Sequence, residues 1–314
     1  MDTKEFNDSN TTSFRNFTSY RFKEGFHAKQ TSPYTVGIYT HTSGIEAVAT
    51  TYDYKRRNAH YRALKRDAEV LQLVTEKQAR RRVVNVRVPR LLTVIDKANR
   101  IIVIREFVKG VLLTRVSQGA KVAAYTEASQ EFVKVGQNLT AEEAQQIPHV
   151  TRRDMKRTLL FGLLKGVYKD RWMLPQLIKL AYLFYRYAPS GKSTPELAVR
   201  SLRADTLVCE PDYVCVTDVR CIAFAEPGTD AALFPQLYFK EVGNETMRQY
   251  LDTQFDTVAA KRNFLYLAAY YAISSTDMEY IPVLAGTIAP YIEACMNTKA
   301  PARNLSMAVQ TKSS

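Results

Sequence analysis

Three of the four cysteines, Cys209, Cys215 and Cys221, recur every six residues, with Cys295 apart. Such a repeat invites a thiolate metal site. Tetrahedral sites, however, gather ligands as close pairs about two to four residues apart, and the chain has no Cys-x-x-Cys pair. The surrounding residues alternate like strands, so core filling is the expected use of these thiols. His27, His41, His60 and His149 are scattered, with no His-Glu-x-x-His spacing and no Gly-x-Ser-x-Gly elbow, so zinc and triad chemistry lack a signature. The most skewed feature is charge. Residues 55–90 hold twelve Lys or Arg against three Asp or Glu, within a formal net charge of +13 for the chain. Lys55-Arg-Arg57, Arg62, Lys65-Arg66 and Arg80-Arg81-Arg82 are expected to lie along one helix and its exit. Such a stripe suits phosphates, which arginine holds bidentately, and equally suits a solvated face. Tyr52, Tyr54 and Tyr61 would add stacking to a nucleic-acid surface or would pack under the helix. A second basic stretch, Arg152 through Arg171, is mixed with apolar residues. It reads as an interfacial helix or, preferably, as a core helix with a basic outer face.

The elements around these residues follow from hydrophobic period. Tyr34–His41 and Ile45–Tyr52 alternate as strands about a Thr42-Ser-Gly44 turn. Residues 58–79 repeat at helical spacing through Leu64, Ala68, Leu71 and Thr75, with Asn58 placed to cap. Val88–Val94 and Arg100–Phe107 are two further strands, and Gly110 ends the block. Lys121–Asn138, Arg152–Lys169 and Leu174–Tyr187 read as helices. Pro189–Pro195 is a loop, Thr206–Cys209 and Tyr213–Thr217 form a hairpin, and the chain from Ala231 to Met296 is expected to be helical. The fold class is therefore α+β. Residues 1–20 and 298–314 are expected to be poorly ordered tails, 21–110 a small sheet-plus-helix lobe, and 111–297 a mostly helical lobe carrying a hairpin. With 314 residues and 46% hydrophobic content the chain can bury a sizeable core. It opens without a signal-like apolar run and has no unbroken span of about 18 apolar residues, which points to a reducing cytoplasm.

Local sequence carries a family likeness. Leu64-Lys-Arg-Asp-Ala-Glu-Val-Leu71, then Val88-Pro-Arg-Leu91, then Ile102-Val-Ile-Arg-Glu-Phe-Val-Lys-Gly110 resembles the small lobe of the aminoglycoside phosphotransferase-like family. Val199–Thr206, Val216-Thr-Asp-Val-Arg220 and Glu226-Pro-Gly-Thr-Asp-Ala-Ala232 resemble its catalytic loop, its metal-binding strand end and its "Asp-Pro-x-Tyr-Asp-Leu-Ala" helix start. The resemblance implies a two-lobed kinase-like fold, with ATP and Mg²⁺ as cofactors. Asp218 would be the Mg²⁺ ligand, since that ion takes hard oxygen donors. Asp67 would be the helix acid that pairs with a phosphate-holding lysine, Glu106, Phe107 and Val108 the nucleotide hinge, and Asp230 the buried acid bracing the catalytic loop. Read without the resemblance, Asp218 caps the turn after a strand and Asp67 makes exposed helix pairs.

The departures from the family pattern are as informative. Thr50 or Thr51 stands where the phosphate-holding lysine belongs, with Lys55 beyond the strand. In "His-Gly-Asp-Leu-x-x-x-Asn" the catalytic Asp becomes Ser201 and the metal-binding Asn becomes Thr206. A one-residue slip instead places Asp205 at the Asn. A serine hydroxyl cannot act as a carboxylate base near neutral pH. Three readings stay open: a degenerate, pseudokinase-like protein that binds an anionic partner (nucleic acid or acidic protein) through its basic small lobe, an active phosphotransferase with displaced chemistry, and a membrane-surface or scaffold protein. On the first of these, neither ATP nor Mg²⁺ is required.

Overall fold

The computed structural model describes residues 20–22, 29–31, 33–80, 85–191, 193–219 and 221–297. The tails expected at 1–20 and 298–314 lie outside these, apart from Tyr20, and so do Arg81 and Arg82. In chain order the elements are β1 (Tyr20–Phe22), β2 (Lys29–Thr31), β3 (Tyr34–His41), β4 (Glu46–Asp53), α1 (Ala59–Ala79), β5 (Val86–Arg87), β6 (Leu91–Lys97), β7 (Arg100–Glu106) and β8 (Val111–Leu112). Then follow α2 (Gln118–Gln137), α3 (Ala141–Gln146), α4 (Arg152–Lys169), α5 (Leu174–Arg186), β9 (Glu196–Ala198), β10 (Leu207–Cys209), β11 (Val214–Val216) and β12 (Ala223–Ala225). The chain closes with α6 (Thr229–Tyr238), α7 (Asn244–Gln254), α8 (Val258–Ser275), α9 (Tyr280–Val283), a wide π-type turn at Leu284–Ile288, and α10 (Ala289–Asn297).

The chain divides into two compact units. The first runs to Leu113 and takes in Asn138–Ile147 and Asp205–Ile222; the second holds Thr114–Gln137, Pro148–Ala204 and the chain from Ala223. The units are thus discontinuous in sequence, and the hairpin read from sequence into the helical lobe groups with the first unit.

In the first unit an antiparallel sheet runs β1-β3-β4-β7-β6, with β2 also on β3. The unbroken run Ile101-Ile-Val-Ile104 makes β7 a strand buried on both faces. One face joins Ala47 and Ala49 to Ile95, Ile102 and Ile104. The other sets Tyr52, Ile101 and Val103 against Tyr61, Leu64 and Ala68 of α1. Asn58 caps α1, accepting from the N–H groups of His60 (3.1 Å) and Tyr61 (3.2 Å). Tyr52, Tyr54 and Tyr61 are all buried. The hydroxyls of Tyr54 and Tyr61 donate to Asp96, at 3.1 and 2.5 Å. These rings are therefore packing, not a stacking surface. Of the strand read as Val88–Val94 only Leu91–Val94 is strand, the start of β6, which runs on to Lys97; Val88–Arg90 lie outside it, where Pro89 lacks an N–H for the ladder. A second sheet runs β5-β11-β10-β8.

In the second unit α8 is buried nearly all round, from Lys261 through Ile273, as the apolar run Phe264–Ser274 requires. The helices α4, α5 and α6 all pack on it. At Gly162 of α4 a Cβ would fall 2.5 Å from the carbonyl oxygen of Ile273, so only glycine lets these helices meet so closely. The short β9 and β12 pair antiparallel. Neither was legible as a strand, being three residues long.

Candidate functional site

The loop after β9 is set by one carboxylate. Asp230, in the first turn of α6, is buried and accepts from the backbone N–H groups of Val199 (2.9 Å) and Arg200 (2.7 Å). Arg200 is held at a positive φ of 59°, a conformation costly for a side chain with a Cβ. Ser201 follows directly, its carbonyl accepting from Arg203 N–H at 2.7 Å, and Tyr238 donates to the carbonyl of Leu202 at 2.9 Å. Burial pushes the Asp230 carboxyl up to about 6, against the two N–H groups that favour its charged form. The second unit therefore holds a braced loop in which a serine follows the braced pair, its hydroxyl oxygen buried.

The hairpin β10–β11 belongs to the first unit. Leu207 pairs with Val216, and Thr217 donates both its N–H (2.8 Å) and its hydroxyl (2.9 Å) to the carbonyl of Thr206. One residue further out, Asp205 and Asp218 flank the hairpin's open end. No group of three or more His, Cys, Asp or Glu side chains that could hold a metal occurs among the described residues, the cysteine repeat included. Cys215 is fully buried, which pushes its thiol up to about 12.

A strand cation that pairs with a helix acid must stand on the α1 face of the sheet. Thr50 lies opposite Val103 on that face; Thr51 lies opposite Ile102, on the other. Asp67 is half-buried on α1. Lys55 is exposed beyond β4. The cation that does occupy this face is Arg105, which stands opposite Val48 and donates to the carbonyl of Thr217, directly ahead of Asp218. An arginine closing the apolar run of β7 was the signal for it, and sequence reasoning passed over it. The hairpin thus brings two acidic residues, Asp205 and Asp218, to one end, and the strand lysine is replaced by threonine, so no transfer step follows from them.

The hinge segment is tied into the same unit. Phe107 gives its N–H to the carbonyl of Glu46 at 3.0 Å, and Val108 is buried with Val208 and Cys215. The guanidinium of Arg87 bridges Glu106 and Glu210, at 3.0 Å each, and lies 4.3 Å from the centre of the Tyr213 ring. Glu106 is therefore committed to an ion pair. At Gly110 a Cβ would meet the carbonyl of Cys209 at 2.5 Å.

The basic stripe divides in two. Lys55, Arg56, Arg62, Lys65 and Arg66 are exposed around the start of α1. Glu69 and Glu76 then interrupt, Lys77 is buried against Glu143 at 2.6 Å, and Arg80 is exposed at the far end. In the second unit a cavity of about 720 Å³ is walled by Arg186, Arg262, Asn263, Ser193 and Glu226 among others. Glu226 there is paired with Arg152 at 2.6 Å.

No family model matches the chain, and no curated protein matches it in sequence. Solved structures do. A thermostable mutant of aminoglycoside phosphotransferase APH(4)-Ia, in its apo form, is 11% identical over 93% of this chain and 100% of its own, with a TM-score of 0.61. The GDP and kanamycin complex of APH(2")-IIIa is 14% identical over 91% and 98%, with a TM-score of 0.56. APH(3'')-Id from Streptomyces rimosus is 15% identical over 80% and 93%, with a TM-score of 0.53. The order of strands and helices, the two units and these likenesses agree: the chain has the kinase-like fold of the aminoglycoside phosphotransferases.

Proposed function

We propose that this protein keeps the phosphotransferase scaffold but not phosphoryl transfer, and that it works by binding an anionic partner through the basic start of α1. The observation that carries the reading is Ser201. The Asp230 brace holds the loop rigidly, and the residue that follows the braced pair has no carboxylate to accept a proton. Thr50 on the α1 face supplies no cation for transferring phosphate, and Thr206 supplies no amide. Related folds have been seen with GDP and kanamycin, and with AMP-PNP and hygromycin B. On this reading the present chain holds a Mg²⁺–nucleotide at Asp218, or none, without turning it over.

A second reading has one observation in its favour. Arg105 brings a cation to the strand face and touches the segment carrying Asp218, with Asp205 beside it. An active enzyme with displaced residues would use Arg105 against phosphate charge, since phosphoryl transfer is mostly positioning and charge neutralisation. Thermal unfolding with ATP, with and without Mg²⁺, beside a phosphate-release assay separates the two. The binding reading expects no release, and no midpoint shift or a shift that Asp218→Asn removes. Mg²⁺-dependent release that both Asp218→Asn and Arg105→Met abolish would overturn it. The anion surface is tested by salt. Charge reversal at Arg62, Lys65 and Arg66 should flatten the salt slope of RNA binding. An unchanged slope would leave those residues as a solvated face.

A further inference from the structure

The outer side of the α4–α5 pair is assembled the wrong way round for a helix layer that ends in water. The inner face of α4 is Met155, Leu159, Gly162 and Gly166, with both glycines in tight contact, against Ile273 and Leu177. Four further bulky residues point out: Leu160, Phe161 and Leu164 are exposed, Leu164 to 62%, and Tyr168 to 92%. On α5, Leu177, Leu180, Leu183 and Phe184 face the core, while Leu174, Ile178, Tyr182 and Tyr185 form an exposed stripe at intervals of three and four. The turn between the helices carries Trp172, 88% exposed. Both helices pack on α8, so both stripes face away from it on one side. Isolated surface apolar residues need no explanation; a shared face of this kind marks an interaction surface.

Charge says what it meets. Between Arg152 and Arg186 the chain has nine Lys or Arg and two Asp. Both acids are spent on local caps: Asp154 on Thr151, and Asp170 on the Trp172 N–H at 2.9 Å. The cations Lys156, Arg157, Lys165, Lys169 and Arg171 are interleaved with the apolar residues, not set apart from them. A second copy of this chain would bring the same excess cation against itself. Apolar side chains, a Trp and several Tyr, and long basic stems able to reach outward are the composition of an element lying in a lipid headgroup layer. We propose that the α4–α5 face docks this protein on an anionic lipid surface, burying Leu160, Phe161, Leu164 and Ile178 while Arg157, Lys165 and Arg171 meet headgroup phosphates. The proposal stands apart from whether the kinase-like site turns over.

The test is flotation of the full chain with phosphatidylcholine vesicles, with and without phosphatidylserine. The expected result is capture on the anionic vesicles alone. Phe161→Glu with Ile178→Glu should weaken capture by about tenfold or more, because each replaces an exposed apolar group on the face. Arg157→Glu with Lys165→Glu leaves every apolar group in place and should weaken it as well, with a reduced dependence on salt. Equal capture of the wild type and both variants, or no capture of the wild type, would overturn the proposal. So would a wild-type dimer in sedimentation that Phe161→Glu with Ile178→Glu converts to monomer, since the face would then belong to a second copy.

Discussion

Asp230 shows how one side chain fixes a loop and records pH. Its carboxyl moves from 3.8 to about 6 chiefly through burial, so between those values the folded protein keeps a proton that the unfolded chain releases. Stability contributed by this group is therefore present below about pH 4 and lost as pH rises through about 6, on the order of 3 kcal/mol in all. Asp230→Asn removes that titration. Denaturant melts from pH 4 to 7 should show the variant gaining on the wild type across the window, although at every pH it gives up one of the two N–H contacts, at about 1–3 kcal/mol. Parallel curves would mean that Asp230 is not the protonated, buried group described. The same scale holds the change most telling for function. A serine at 201 leaves the brace itself intact, because Asp230 holds the backbone N–H groups of Val199 and Arg200 and not the side chain that follows. Ser201→Asp alone should leave the brace in place but lower the melting midpoint, because the Ser201 hydroxyl oxygen is buried and a carboxylate there is desolvated, and it should give no phosphate release, because Thr50 still supplies no cation.

Between elements, contact distances decide. Gly162→Ala sets a methyl 2.5 Å from the Ile273 carbonyl oxygen and must push α4 off α8; a cost of about 1–3 kcal/mol is expected. Gly119, near the start of α2, has nothing within 4 Å of an added Cβ, and Gly119→Ala should stabilise by about 0.5–1 kcal/mol through helix propensity. Thermal melts of the pair check this, and a Gly162→Ala protein as stable as the wild type would refute the close helix contact. Much of this scale was legible in the chain. The period of Leu64, Ala68 and Leu71 and the Asn58 cap place α1, and the run Ile101–Ile104 places β7. The β9–β12 pair was not legible, because three-residue strands carry too little alternation to register. Nor was the direction of α4. Leucines at three and four residue spacing look like a buried stripe, whereas here the glycines share the inside with Met155 and Leu159 while Leu160 and Leu164 lie outside. Of the candidate site, Asp230, Ser201 and Asp218 could be named from local motifs. The position of Arg105 at the end of an apolar run was visible, but its contact and the Arg87 bridge were not, because the partners, Thr217 and Glu210, lie more than a hundred residues away in sequence.

Across the whole molecule, the chain returns to its first unit twice, at Asn138–Ile147 and at Asp205–Ile222. Both returns carry partners that the opening segment lacks. The hairpin supplies Val214 to Val86 and Cys209 to Val111. It also supplies Glu210 and the Tyr213 ring to Arg87, and the apolar cover of Val108. The first return supplies Glu143, without which Lys77 is a buried cation with no counter-charge. A fragment ending at Leu113 would therefore keep the β3-β4-β7-β6 sheet and α1 while losing a second sheet and two ion pairs. It is expected to melt without cooperativity, or far below the full chain. The register gives a way to repair it. Leu112 stands opposite Val208 in antiparallel β8 and β10, so Leu113 ends close to Asp205 and a short Gly/Ser linker can join them. Residues 20–113 linked to 205–222, with Lys77→Met to remove the orphaned charge, should recover a cooperative transition and slow amide exchange in β4 and β7. If the bare fragment already protects those strands as well as the full chain does, the hairpin is an appendage. If the linked form protects them and the bare fragment does not, the first unit is a single folding body assembled from distant parts of the sequence.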